Sequence, residues 1–252
     1  MRTKPALETY HRFLDEAGDT TFYGKGKTPI IGVQNGVSLC FMLGMVKFKE
    51  PLEPIRQKVV ALQKEIEQDD YLSGIPSIQK KKQRGGFFFH ATDDVPEVRS
   101  TFFKFIKTLD FSFEAVVGRK IYTLFANKHN GSDTEFYADL LSHLLKNKLQ
   151  LGGELILNIA ERSNTTKHKT FQTALEKATQ RHLLKKPEKM IETKVVFNVQ
   201  NHYTEPLLNI SDYCCWAVQR VLERGELRYY DFLGEKISLV VDLYDKVNYL
   251  GS

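Results

Sequence analysis

Apolar residues recur along this chain with two spacings, one typical of strands and the other typical of helices. Short, mostly apolar segments predict strands at Arg12–Glu16, Ile30–Val33, Val37–Phe48, Phe111–Lys120, Glu154–Glu161 and Glu192–Val199. Apolar residues three or four positions apart predict helices at Leu52–Glu67, Asp94–Leu109, Ser132–Leu144, Thr166–Leu183 and Asn209–Glu223. Strands that alternate with helices indicate crossover connections and some parallel pairing. The pattern therefore predicts an α/β protein with a mixed sheet and helices on both faces of that sheet.

Local turn and capping signals refine this order of elements. Gln34-Asn35-Gly36 lies between the second and third predicted strands, and Asn-Gly is a strong signal for a two-residue hairpin. The first three strands are therefore expected to form an antiparallel meander. Asp94 with Glu97, and Ser132 with Glu135, have the spacing of a capping box at the start of a helix.

Two parts of the chain fall outside the regular alternation. Residues 69–86 contain glycine, proline and a run of lysines, which predicts a loop insertion. Residues 225–252 form a C-terminal extension in which Ile237–Leu243 fits either an edge strand or a last helix. No linker or internal repeat divides the chain, so we expect residues 1–252 to form a single domain.

Composition narrows the class of protein. The 252 residues are 42% hydrophobic and 12% aromatic, which is enough for a substantial core and argues against disorder. No apolar run reaches the roughly 18 residues of a transmembrane helix, and Met1–Tyr10 lacks the apolar centre of a secretion signal. Cys214 and Cys215 are adjacent, which suits neither a disulfide framework nor a zinc site. We therefore expect a cytoplasmic protein without membrane contact.

The charge distribution points to anionic partners. The formal net charge of +5 is a mild bias in that direction. Basic residues cluster at Lys80–Arg84, Lys167–Lys169 and Lys185–Lys189. Such runs are usually solvated surface, and the alternative is that flexible lysines bind phosphate. Within the first run, Lys81, Lys82 and Arg84 are candidate phosphate contacts.

Three acidic residues stand out by their position in the predicted elements. Asp15 ends the first strand, Glu161 ends the strand that starts at Glu154, and Asp212 is in the first turn of the last predicted helix. Sites in open α/β sheets form beyond the carboxyl ends of the strands, and carboxylate oxygens suit Mg²⁺ or Mn²⁺. Two such ions about 3.5–4 Å apart activate water and stabilise the leaving oxygen in phosphodiester cleavage. The carboxylates therefore suggest a metal site suited to phosphodiester cleavage, although the pattern alone is not specific for it.

Each carboxylate also has a purely structural interpretation. Asp15 fits a turn residue, Glu161 fits an exposed charge at a strand end, and Asp212 fits a helix cap or a favourable first-turn charge. Successive side chains of a straight strand face opposite sides, so only one of Asp15 and Glu16 is expected to be a ligand. We favour Asp15 as the ligand and expect Glu16 to support it.

Two further side chains are candidates for the same site. His90 follows three phenylalanines and is expected to orient a water or a phosphate, with a hydrogen-bonded structural histidine as an equal alternative. Lys120 ends a predicted strand and is a candidate phosphate contact, against the default of an exposed surface lysine.

Short motifs follow one another in order over most of the chain. They are Phe13-Leu14-Asp15-Glu16-Ala17-Gly18-Asp19, Phe89-His90-Ala91-Thr92-Asp93, Ala115-Val116-Val117-Gly118-Arg119-Lys120 and Leu208-Asn209-Ile210-Ser211-Asp212-Tyr213. Together they resemble the acidic opening motif, the histidine segment, the strand ending in lysine and the late helix motif of the family designated domain of unknown function 3800. The resemblance implies a ribonuclease-H-like fold and a metal-dependent nuclease activity. It places Asp15 and Asp212 at the family's acidic positions.

The chain departs from the family's pattern at two positions. Glu161 stands where the family has aspartate, which moves the carboxylate outwards by about one bond. Asn209 replaces a glutamine, which shortens any amide contact made from that position. These differences concern the geometry of the site more than the fold.

Three hypotheses for the function follow. The first is an Mg²⁺- or Mn²⁺-dependent nuclease that acts on DNA or RNA. The second is a nucleic-acid-binding module without catalysis, whose salt-sensitive binding survives the loss of Asp15 or Asp212. The third is a protein-interaction component, for example of a phage-defence or mobile-element system. It predicts a stable protein partner and no affinity for nucleic acid.

Overall fold

The computed structural model describes residues 8–161, 168–185 and 191–245 of the chain. The strands are β1 (Thr9–Gly18), β2 (Cys40–Phe48), β3 (Phe111–Arg119), β4 (Glu154–Ala160), β5 (Lys194–Gln200) and β6 (Ile237–Asp242). The helices are α1 (Leu52–Gln68), α2 (Pro76–Gln83), α3 (Pro96–Thr108), α4 (Tyr122–His129), α5 (Asp133–Leu145), α6 (His168–Lys185), α7 (Leu208–Arg224) and α8 (Arg228–Leu233). None of the helices in the described part of the chain is long and apolar enough to cross a membrane.

The strands form one mixed sheet in the order β5-β4-β1-β2-β3-β6. β1, β2 and β3 are antiparallel neighbours, whereas β4 runs parallel to β1 and β5 runs parallel to β4. β6 pairs in parallel with β3 at the opposite edge. This α/β architecture is consistent with a ribonuclease-H-like fold, and it confirms the predicted mixed sheet with an antiparallel three-strand start. The third antiparallel strand is β3 and not the predicted strand Ile30–Val33.

Apolar layers cover both faces of the sheet, as the strand patterns predicted. Along β1, Phe13 and Ala17 belong to the core packed by α1, α3 and α7, whereas Leu14 belongs to the core packed by α5 and α6. Because strand side chains alternate, Asp15 shares the α7 face with Phe13 and Ala17. The alternation therefore directs one acidic side chain of the opening motif towards the helix that carries Asp212.

A glycine allows α7 to approach the centre of the sheet closely. Gly44 is the β2 partner of Asp15. A Cβ atom at Gly44 would lie 2.5 Å from the Cys215 sulfur and 2.4 Å from the Phe113 ring, which is far inside van der Waals contact. α7 is also joined directly to β1, since the Ser211 hydroxyl donates to the Phe13 carbonyl at 2.8 Å. The depth of α7 against β1 is therefore determined by these contacts.

The predicted hairpin at Asn35-Gly36 is wrong. Ile30–Val33, which was expected to be a strand, is a turn in which the Ile30 carbonyl accepts hydrogen bonds from the Val33 and Gln34 amides. Ile30 is buried but Val33 is 82% exposed, so the segment contributes single side chains to the core without forming a strand. β2 starts only at Cys40, and residues 19–39 form an irregular connection between β1 and β2.

Three other local predictions also need correction. The region 69–86 contains α2 in addition to loop, because Ile78 and Lys81 bury one side of a short helix. Asp94 does not cap α3; its carboxylate binds Lys81, Tyr213 and the His90 amide instead. The C-terminal extension contains both α8 and the edge strand β6, and α4 was not predicted at all. Ser132 does accept a hydrogen bond from the Glu135 amide, as its capping position predicted.

Candidate functional site

Asp15 lies near the carboxyl end of β1 and is 5% exposed. Its Oδ1 accepts a hydrogen bond from the Glu16 amide at 2.8 Å, and its Oδ2 lies 2.7 Å from Nε2 of His202. A buried carboxylate is unfavourable unless it is paired or hydrogen-bonded. These contacts hold the Asp15 side chain in one orientation, facing α7.

Asp212 faces Asp15 from α7 and is 7% exposed. Its Oδ2 accepts a hydrogen bond from the Ala91 amide at 2.7 Å, and its Oδ1 lies 3.8 Å from Nε2 of His90. α7 begins at Leu208, so Asp212 lies beyond the first turn, and no side chain caps this helix. The structural alternative of a helix cap is therefore excluded for Asp212.

His202 completes a cluster that sequence reasoning missed. Asp15, His202 and Asp212 each offer one atom that could bind a metal ion. These three atoms lie within 4.8 Å of one another. His202 lies in the connection between β5 and α7, and its carbonyl accepts a hydrogen bond from the side-chain amide (Nδ2) of Asn209 at 2.8 Å. The signal that could have found it is its position just past the carboxyl end of a parallel strand, where α/β sites form.

The electrostatics of the cluster follow from its burial. Burial, followed by the adjacent Asp15 charge, raises the pKa of Asp212 to about 6 against the opposing effects of His90 and His202. Burial on its own lowers the pKa of a histidine, but the charge and the hydrogen bond of Asp15 outweigh it and leave the pKa of His202 raised. Excess negative charge between Asp15 and Asp212 is thus relieved only in part by the two histidines.

A cleft of about 350 Å³ opens over the cluster. Glu16, His90 and Glu161 contribute to its walls, so the structure brings these predicted residues next to Asp15 and Asp212. Glu161 is exposed and does not belong to the group of mutually close ligand atoms, in which His202 takes the predicted third place. His90 also contacts Asp93, with 3.2 Å between Nδ1 and Oδ2.

The predicted basic contacts are distributed differently. Lys120 is buried, with Nζ 2.9 Å from Asp19 Oδ1, and it also donates to the Thr21 carbonyl. Lys81 is buried as well, with Nζ 2.8 Å from Asp94 Oδ1. These internal ion pairs replace the phosphate contacts that we expected from both lysines. Their role in the structure is to hold the loops that flank the cleft.

The remaining basic residues are on the surface. Lys82 donates to the Glu67 carbonyl at 3.1 Å, and Arg84 lines a separate cavity beside α2. Residue 167 of the Lys167–Lys169 cluster and residues 186–189 of the Lys185–Lys189 cluster lie outside the described residues.

The cleft continues into a second, larger groove that carries arginines. The two spaces share Gly18, Thr92, Trp216 and Gln219 in their walls. Arg99 and Arg220 each place their guanidinium carbon 5.2 Å from the Trp216 ring centre. Arg220 is ion-paired with Glu226, and Arg99, from α3, donates to the Ala91 carbonyl, so both arginines already have partners within the protein.

No protein-family model and no curated protein sequence matches this chain. The resemblance to the family designated domain of unknown function 3800 therefore stays a prediction.

Proposed function

We propose that this protein binds a divalent cation through Asp15, His202 and Asp212 and hydrolyses phosphodiester bonds in nucleic acid. The observation that carries the proposal is the convergence of these three buried side chains, from β1, the β5–α7 connection and α7, on one point in a cleft. Two carboxylates buried side by side repel each other, and a bound cation would neutralise them.

The donor set fits a cation. An ion about 2.1 Å from each donor atom needs donors within about 4.2 Å of one another. The donor atoms of Asp15, His202 and Asp212 lie within 4.8 Å of one another. Small side-chain movements are therefore sufficient. Burial, followed by the neighbouring Asp15 charge, raises the pKa of Asp212 to about 6, and a bound cation would relieve the contribution from Asp15. The imidazole of His202 favours Mn²⁺ over Mg²⁺, since Mg²⁺ prefers ligand sets made only of oxygen.

The bound cation would supply Lewis-acid polarisation of the phosphodiester and acidification of a water molecule. The chain's own residues do the rest. His90, 3.8 Å from Asp212, holds a phosphate oxygen or the attacking water by a hydrogen bond. Glu161, exposed in the cleft wall, accepts the proton from that water.

The test is cleavage of labelled DNA and RNA, single-stranded and duplex, by purified protein with Mn²⁺, Mg²⁺ or EDTA. We expect Mn²⁺-dependent cleavage that Asp15→Asn and His202→Ala abolish. Asp110→Asn is the matched control, because Asp110 is exposed in an ion pair with Lys49 at the opposite end of the sheet. Circular dichroism and thermal unfolding verify that each variant is folded.

Two results would contradict the proposal. One is cleavage by Asp15→Asn at the wild-type rate. The other is the absence of Mn²⁺ binding in calorimetry together with no cleavage on the whole substrate panel. Metal-independent binding of nucleic acid without cleavage would favour the second hypothesis, a nucleic-acid-binding module that is not an enzyme.

A further inference from the structure

A third cavity lies beside α2. It has a volume of about 480 Å³, which is within the range of small-ligand sites. Lys80 and Arg84 from the α2 region, Phe88, and Tyr203 from the β5–α7 connection line it. We refer to these four residues as the basic–aromatic pocket.

The pocket adjoins the carboxylate cluster directly. The Phe88 ring stacks on the His202 ring, with 5.9 Å between centroids and 18° between planes. Tyr203 follows His202 in the chain, so the same short connection supplies a cluster residue and a pocket wall. The two spaces share no lining residue, but the Phe88–His202 stack brings their walls into contact, so they lie next to each other.

The charge of the pocket is positive. Lys80 and Arg84 are exposed, and neither forms an ion pair with another residue in the described part of the chain. Lys81 also borders the pocket, but Asp94 neutralises it inside the protein. Asp93, the acidic residue of the wall, is turned towards His90 at 3.2 Å. Lys80 and Arg84 are therefore available to an anionic ligand.

The pocket also presents an aromatic surface. Tyr203 is 54% exposed. Its ring lies against the backbone of Gly86, where a Cβ atom would be only 2.4 Å from the ring and where φ is +135°. A bare backbone thus supports the ring from one direction and leaves much of it accessible. An exposed aromatic ring beside unpaired cations is typical of sites that stack nucleobases and bind the phosphates of single strands.

We propose that the basic–aromatic pocket binds an unpaired nucleotide that neighbours the phosphodiester held at the carboxylate cluster. The base stacks on Tyr203, and Lys80 and Arg84 bind the adjacent phosphates. This inference rests on the proposed function for the identity of the ligand, and it specifies single-stranded nucleic acid as the substrate class. A paired duplex offers no free base face to Tyr203.

The test measures binding without catalysis. A fluorescently labelled single strand of about 12 nucleotides is titrated with protein in EDTA and followed by anisotropy, and a duplex of the same sequence is titrated alongside. We expect Tyr203→Ala to weaken single-strand binding about tenfold and to leave duplex binding unchanged. Tyr203→Phe keeps the ring and should bind the single strand like the wild type.

The basic run Lys80–Arg84 supplies both a test variant and a control variant. The double variant Lys80→Ala/Arg84→Ala should reduce the slope of log affinity against log salt by about 1.4 for single strands. Lys82→Ala removes one charge from the same helix, but Lys82 lies outside the pocket with its Nζ on the Glu67 carbonyl. We expect Lys82→Ala to leave both the affinity and the salt slope close to those of the wild type.

The inference is overturned if Tyr203→Ala binds the single strand like the wild type, or if it weakens single-strand and duplex binding equally. Lys82→Ala acting like the Lys80→Ala/Arg84→Ala variant would overturn it too. Because the assay contains no metal, its outcome is separate from that of the nuclease proposal. Tyr203-dependent binding without cleavage would support the pocket, whereas cleavage with unchanged binding by Tyr203→Ala would exclude it.

Discussion

Replacing Lys81 tests the observation that one lysine of a basic run is an internal residue. The side chains of Lys81 and Asp94 are 8% and 1% exposed, with 2.8 Å between Nζ and Oδ1. Removing one partner of a buried ion pair costs about 3–5 kcal/mol, because the other charge stays buried and unpaired. Asp94 keeps two donors, the Tyr213 hydroxyl at 2.7 Å and the His90 amide at 2.8 Å. We therefore expect Lys81→Ala to lower the free energy of unfolding by about 3 kcal/mol, the lower end of that range.

The assay is urea unfolding at neutral pH of single alanine variants of three consecutive lysines. Lys80→Ala and Lys82→Ala change exposed residues and should each cost less than about 0.5 kcal/mol. Adding Asp94→Asn to Lys81→Ala removes the unpaired charge and should restore more than about 1 kcal/mol. Equal destabilisation by all three alanine variants would refute the reasoning. So would a loss below about 1 kcal/mol for Lys81→Ala, which would mean that the pair is solvated.

Three further predictions concern the site. The pKa of Asp212 in the folded protein is raised to about 6, so in EDTA the stabilisation present near pH 4 is lost as the pH rises through 6. Asp212→Asn should avoid this loss, and its free energy of unfolding in urea should exceed that of the wild type by about 3 kcal/mol at pH 7.5. Parallel pH profiles of the two proteins would contradict this. Saturating Mn²⁺, at about 100 times its Kd, should stabilise the wild type by about 2.7 kcal/mol in thermal unfolding and should not stabilise His202→Ala. Gly44→Ala should lower the free energy of unfolding by about 1–3 kcal/mol through overpacking. It should also weaken Mn²⁺ binding in calorimetry, because the new methyl group meets Cys215 and moves α7. Unchanged Mn²⁺ affinity would show that the position of α7 does not determine cation binding.

Sequence patterns predicted the elements that bury one continuous face. α1 and α7 were predicted to within one residue at each end, because their apolar residues keep helical spacing over four turns or more. Ile30–Val33 failed as a strand because a short apolar segment carries no information about whether a partner strand is present. α4 failed because its buried residues, Phe125 and His129, are too few to define a stripe.

The sequence predicted those site residues whose position within a strand or helix indicates that they face the site. Asp15 and Asp212 come from a strand end and a buried helix, and their order in the chain matches the motifs that suggested them. His202 is 187 positions from Asp15, and no local spacing links the two. The burial of Lys81 and Lys120 was equally hidden, since the composition of a basic run does not reveal which lysine has an aspartate opposite it.

The geometry of the cluster depends on α7 as one rigid unit. Asn209 and Asp212 are three positions apart, so they lie on one face of the helix. The first holds the His202 carbonyl and the Phe89 amide, and the second faces Asp15. Ser211 bonds to β1 from the same turn. The shortened amide of Asn209 is thus compatible with the site, because its hydrogen bonds of 2.8 and 2.7 Å reach the backbone on either side. A single helix aligns the three ligand-bearing elements, so changes far from the carboxylates that shift α7 should alter cation affinity before they unfold the protein.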